Sequence, residues 1–176
     1  SVNGSGTNNV NQALTYRTWY MSSPVASASP AGMDRIKSYN EATNLWSIDN
    51  SPMVVGKGYS VTPNTGVTNI LFTGGSLNTG EKTFALQKDG ITSQAGFNAV
   101  GNPYPSYIDW KEMVTKNSTV LETNTMWYRS KIEGSFKFYT VDGAGVVVPS
   151  TSPSITAFVP PMQGFWVKTN TDGSTL

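Results

Sequence analysis

Apolar and polar residues alternate one for one in short runs along this chain, and ten prolines are scattered among them. A period of two puts successive side chains on opposite faces of an extended strand, whereas an amphipathic helix repeats every 3.6 residues or so. Proline removes a backbone donor and breaks helix interiors, so long helices are excluded as well. In Met126–Ile132, Met126, Tyr128 and Ile132 point one way while Trp127, Arg129 and Lys131 point the other. Glu133-Gly134 supplies a turn, and Ser135–Val141 returns with Phe136 and Phe138 on one face before Asp142-Gly143 turns the chain again. A second hairpin is predicted between Thr68–Thr73 and Lys82–Lys88, joined by the Gly-rich stretch 74–80, with Gly75 in an exposed loop. Closely spaced strands with turn residues between them form a sandwich or a barrel. One short helix is predicted near 107–115, because Ser106 and Asp109 have capping-box spacing and Trp110, Met113 and Val114 share a helical face.

Comparing the chain with itself narrows the fold further, since a repeat means one structural unit used twice. The first copy runs from Trp19-Tyr20-Met21-Ser22-Ser23-Pro24 through Tyr39 and Trp46 to Met53-Val54-Val55-Gly56-Lys57-Gly58-Tyr59-Ser60-Val61. The second runs from Phe97-Asn98-Ala99-Val100-Gly101-Asn102-Pro103 through Tyr128 and Phe138 to Pro161-Met162-Gln163-Gly164-Phe165-Trp166-Val167. Matching Pro24 with Pro103 and Gly58 with Gly164 gives intervals of 34 and 61 residues, so the second copy carries insertions. Each copy opens with a strand ending in a proline turn and closes on glycine, aromatic, any residue, valine. The glycine there permits close backbone approach or a bulge. The expected fold is therefore all-β: a β-sandwich, jelly-roll-like or related, from two diverged strand repeats with one short helix. Residues 1–16 read as a polar arm and 17–176 as one domain. Within it, repeat one spans about 17–66, a connecting hairpin about 67–94 and repeat two about 95–170.

Composition removes several kinds of chemistry. The chain has no Cys and no His, which excludes thiol nucleophiles, Cys/His zinc sites, haem ligation and any triad with an imidazole base. Twelve basic residues against eleven acidic, with no run of like charge, leave no electrostatic footprint for nucleic acid. No apolar run approaches the roughly 18 residues that span a bilayer, so no membrane insertion is expected. Only 13% of residues are charged, against about 25% in an average soluble domain, and Ser, Thr, Asn and Gly are abundant. That balance suits an extracellular β-protein. The polar start, Ser1 to Asn9, lacks an initiator Met and a signal-peptide pattern, and reads as the edge of an excised or processed piece.

Several of these blocks together carry a resemblance. Trp19-Tyr20-Met21-Ser22-Ser23-Pro24, Gly56-Lys57-Gly58-Tyr59, Val100-Gly101-Asn102-Pro103-Tyr104-Pro105-Ser106, Ile108-Asp109-Trp110 and Gln163-Gly164-Phe165-Trp166-Val167 resemble a β-rich domain of large secreted proteins of Bacteroidetes. It covers about Trp19 to Thr169. That domain commonly sits just ahead of a C-terminal sorting tail for the type IX secretion system, so the resemblance implies a secreted or outer-surface setting. It implies no catalytic residues and fixes no ligand.

Candidate binding residues are aromatic. Tyr104, Tyr107 and Trp110 follow the stiff Asn102-Pro103-Tyr104-Pro105 turn, and could form a stacking platform for sugar rings or else plug the end of the sandwich. Trp127 and Trp166 sit in predicted strands opposite the core-facing set, while Trp19 and Trp46 read as packing residues. Asp142–Gly145 and Asn170–Ser174 have too few carboxylates for calcium and read as turns, so no metal and no cofactor are expected. Glycoside hydrolysis needs two facing carboxylates about 5 to 10 Å apart, and spacing singles out no pair. The expected function is a non-catalytic binding or adhesion module of a larger extracellular protein, with polysaccharides or cell-surface glycans as partners beside the parent's other domains. A ligand-free structural spacer is the alternative, and a glycoside hydrolase the third.

Overall fold

The computed structural model describes residues 8–29, 31–89, 92–132, 135–149 and 155–176. It is all-β and sandwich-like with one short helix. In chain order the elements are β1 (Asn8–Ala13), β2 (Trp19–Met21), β3 (Met33–Asn40), β4 (Leu45–Ile48), β5 (Tyr59–Pro63), β6 (Asn69–Gly75), β7 (Phe97–Gly101) and β8 (Ile108–Asp109). They continue with α1 (Trp110–Asn117), β9 (Met126–Ile132), β10 (Ser135–Val141), β11 (Val147–Val148), β12 (Phe158–Val159) and β13 (Gly164–Lys168).

The two repeats build two sheets with the same strand order. The first sheet runs β2-β5-β3-β4, and the second runs β7-β13-β9-β10 with β11 added at its edge. The registers agree as well. Trp19, Tyr20 and Met21 face Val61, Ser60 and Tyr59, as Asn98, Ala99 and Val100 face Val167, Trp166 and Phe165. Lys37 stands opposite Ser60 and Trp127 opposite Trp166, so Lys37 and Trp127 are equivalent. Tyr39 therefore matches Arg129, and not Tyr128, the aromatic that stands in its place in the order of the second copy. A slip of one residue moves a strand side chain to the other face, so this correction matters for the site.

The copies also clasp each other reciprocally. Met21 bridges Gln163, and its counterpart Val100 bridges Lys57, the counterpart of Gln163. Ser22 N–H donates to the Met162 carbonyl at 2.8 Å, and Gly101 N–H donates to the Gly56 carbonyl at 3.0 Å. Both clasps end in the same turn: Lys57 N–H reaches the Val54 carbonyl and Gln163 N–H the Pro160 carbonyl, each at 3.2 Å. That turn needs a left-handed residue at its third position, supplied by Gly56 (φ 80°) and, against its steric preference, by Met162 (φ 58°). Met162 fills the first copy's core, which offsets the strain. A Cβ on Gly58 would stand 2.5 Å from the Val100 carbonyl oxygen, and one on Gly164 would stand 2.8 Å from the Tyr20 backbone carbon. Both glycines are thus required where each copy crosses the other's first strand. Ser22 and Gly101, equivalent positions, touch each other across the join.

Each copy keeps its own core. Tyr59 and Val61 pack with Ile70 and Phe72 of β6, whose partner strand is β1. Tyr128, Phe165 and Val167 pack with Trp110 and Val114 of α1, Val159 of β12 and Leu86. The helix falls at the expected place with Asp109, a capping residue by its sequence position, as its N-cap: its carboxylate accepts from Lys111 N–H at 2.9 Å, and Ser106 does not cap the helix. Asp109 wins because an extended residue directly before the first turn can reach the free amides.

One local expectation holds and three change. The β9–β10 hairpin forms as read, with Ile132 opposite Ser135, although its turn at Glu133-Gly134 lies outside the described residues. The second hairpin does not form. Residues 69–75 pair instead with β1, which draws Asn8–Ala13 out of the expected arm and into the fold. Phe84 and Leu86 bond the C-terminal segment, with Phe84 N–H donating to the Leu176 carbonyl at 2.9 Å. Finally, Gly75 is no loop glycine: it ends β6, and a Cβ there would strike the Ala26 carbonyl.

Candidate functional site

The inward faces of both sheets are filled by the two cores, and the outward faces differ. On the first sheet one cross-strand row reads Tyr20, Ser60, Lys37, Ile48. On the second the same row reads Ala99, Trp166, Trp127, Thr140, and ends at Val148 on β11. Where one copy carries Ser60 and Lys37, the other carries two tryptophans side by side.

Aromatic residues from both copies hold Trp166. Its ring centre lies 4.7 Å from Tyr39 and 5.6 Å from Trp46, each nearly perpendicular, and 6.1 Å from Tyr20. Tyr20 in turn stacks on Trp46 at 5.5 Å. Edge-to-face contacts of this kind place a positive ring edge against a negative ring face and add to the gain from burial. Trp127 leans the other way, onto Phe97 at 5.1 Å. Between them opens a cleft of about 230 Å³ lined by Tyr39, Gln94, Phe97, Trp127, Phe138 and Trp166. Small-molecule pockets commonly enclose about 300 to 1,000 Å³, so this one suits a single ring-sized group. Phe138, 60% exposed, stands at its mouth.

The polar surroundings are largely committed. Tyr39 donates its hydroxyl to Asn44 Oδ1 at 2.8 Å, and burial, then the nearby Glu41, raise its pKa above the usual tyrosine value. Glu41 is itself buried and accepts from Asp89 N–H at 2.8 Å and from Gly96 N–H, tying the first copy to the loop that opens β7. Lys168, 5.5 Å from the Phe97 ring centre, bonds Glu122 at 2.5 Å, and Lys88 bonds the other carboxylate oxygen at 3.3 Å. The Lys168 hydrogen bond holds the Glu122 carboxyl below its ordinary range, helped by Lys88. Arg129 lies 5.7 Å from the Tyr20 ring centre. Among the described residues, no carboxylate lines the cleft.

The sequence-predicted residues divide cleanly. Trp127 and Trp166 come together in the cleft. Trp110 does not: it is fully buried in the second core, 6.0 Å from Phe165, because the first turn of α1 faces the sheet. Tyr104 is half-buried and donates its hydroxyl to the Gly80 carbonyl at 2.8 Å, while Tyr107 is 65% exposed, so the proline turn presents no joint platform. Trp46, read as a core residue, is half-buried in the outward cluster instead, since Tyr39 is its cross-strand partner. Asp142 Oδ1 accepts from Ala144 and Val146 N–H, which makes its loop a self-capped turn.

Phe97, Phe138, Tyr39 and Gln94 were missed. The hairpin register could have found Phe138, because a turn at Glu133-Gly134 places it opposite Arg129 and thus on the Trp127 face. Tyr39 comes from the other copy, and only the assembled fold brings it near. No protein family, curated protein or solved structure matches the chain.

Proposed function

We propose that this chain is a non-catalytic carbohydrate-binding module of a larger secreted or cell-surface protein, and that the Trp127–Trp166 cleft is its binding site. The observation that carries this is the pair of tryptophans in direct cross-strand register, half-buried, lining an open cleft sized for one ring. A pyranose has C–H groups on its faces and hydroxyls on its rim. The negative face of an aromatic ring attracts the former, and Gln94 at the cleft edge can bond the latter. The extracellular setting follows from the resemblance to secreted Bacteroidetes domains and from the low charge.

Two observations weigh on the other readings. A hydrolase requires paired carboxylates about the sugar, and the described residues that line the cleft include none. A pure spacer has no use for a cluster of outward aromatics, since exposed apolar surface invites unwanted association. Affinity electrophoresis through gels carrying different polysaccharides tests the proposal. We expect retardation on at least one, and a loss of about 30-fold or more in affinity for Trp127→Ala, the size of a binding hot spot of roughly 2 kcal/mol. Unretarded migration in every gel would leave the spacer reading in its place.

A further inference from the structure

Resting on that reading, we propose that the ligand is a flat, neutral, β-linked polysaccharide that crosses the strands of the second sheet. One ring sits in the cleft, and the next units pass over Thr140 and Val148. The row that leads out of the cleft is uncharged: Trp166, Trp127, Thr140 and Val148 stand side by side on four neighbouring strands. Strands lie about 4.8 Å apart, so this row spans roughly 14 Å, a length on the scale of three sugar units.

Three other directions are closed or charged. Beyond Trp166 the rings of Tyr20, Tyr39 and Trp46 fill the space. Along β13 the next outward residues are Lys168, bonded to Glu122, and Gly164, pressed on Tyr20. Along β9 the next outward residue on one side is Arg129, against Tyr20. Toward the β11 edge, Thr140 is half-buried, its hydroxyl donating to the Val148 carbonyl at 3.4 Å and left to accept from a sugar hydroxyl, and Val148 is 59% exposed.

The occupant's chemistry follows from that row. A ribbon of equatorially linked pyranoses presents apolar C–H faces to aromatic and aliphatic side chains and keeps its hydroxyls at the edges, where Thr140 and solvent meet them. A helically coiled α-linked chain cannot lie along a straight row. An acidic chain would bring charge to a row that has no cation in it, so charge supplies no reason for preferring one.

The test is a length series by isothermal titration on the whole chain, using β-1,4-linked glucose, mannose and xylose oligomers from two to six units, with maltose oligomers as the α-linked control. Affinity for at least one β-series is expected to rise about tenfold from disaccharide to tetrasaccharide and then level, with no such rise for maltose oligomers. Val148→Asp, at an exposed position, is expected to remove that rise and leave disaccharide affinity unchanged. Equal affinity at every length, or equal weakening of the disaccharide by Val148→Asp, would overturn the path while leaving the cleft as a binding site. So would concentration-dependent dimerisation abolished by Val148→Asp, which would assign the row to a second copy of the chain. Failure of every sugar to bind the unaltered protein would remove the binding reading itself.

Discussion

The two copies of the strand motif agree where backbone meets backbone and differ where side chains meet solvent. Strand order, ladder register, the left-handed turn residue and the crossing glycine recur in both. On the outward faces Ser60 becomes Trp166, Lys37 becomes Trp127 and Thr18 becomes Phe97. A duplicated scaffold can hold its architecture with the positions that touch the other copy and free a whole face for another use. Here the first copy adds Tyr20, Tyr39 and Trp46, which brace the second copy's Trp166, and Tyr39 also walls the cleft.

The sharpest way to break the equivalence is at the crossing glycines. Gly58→Val and Gly164→Val should each destabilise by about 3 kcal/mol, the upper end for overpacking, because the neighbours are backbone atoms that cannot turn aside. Chemical denaturation measures both, and a large effect at one with almost none at the other would end the parallel. Gly66→Ala, with nothing near it, should cost only the roughly 1 kcal/mol of its left-handed backbone (φ 81°). The next test lies at the join. Gly101→Ala should cost about 2 kcal/mol by driving a Cβ into that of Ser22, and Ser22→Gly should recover about half of it in the double variant. Strict additivity would show that these equivalent positions do not meet.

The smallest effect belongs to the second copy alone. Glu122 has a folded pKa below its unfolded value, so its contribution is present above the unfolded value and fades as pH falls through the folded one. Its side chain is one-third exposed, so Glu122→Gln should cost less than about 1 kcal/mol at pH 7. The gap to the unaltered protein should narrow as the pH falls below the ordinary glutamate range and through the lowered folded value, where the carboxylate takes up its proton. A gap that widens in acid would show that these lysines do not stabilise the ionised form.

Much of the scaffold was legible because its signals are local or duplicated. Alternation and a tight turn specify β9 and β10, and the repeated glycine blocks mark where the copies cross. The failures share a cause. Asn8–Ala13 and residues 84–86 find partners more than 50 residues away, and no local turn chemistry encodes such pairings. The proline turn misled for a different reason: two aromatics near a helix start look alike in sequence whether the helix faces in, as for Trp110, or the side chain faces out, as for Tyr107. For the site, parity along β9 and β13 was enough to place Trp127 and Trp166 outward. Their neighbours from the other copy required the tertiary fold.

The claim that the second copy carries the binding tryptophans, while the first braces them and adds one wall in Tyr39, is tested most directly by titrating a soluble β-linked glucan into the unaltered protein, Trp127→Ala and Lys37→Ala. These variants alter equivalent positions on the two outward faces. The account predicts strong loss of affinity in Trp127→Ala and none in Lys37→Ala, both with native thermal unfolding. Equal loss in the two, or binding that survives Trp127→Ala, would contradict it.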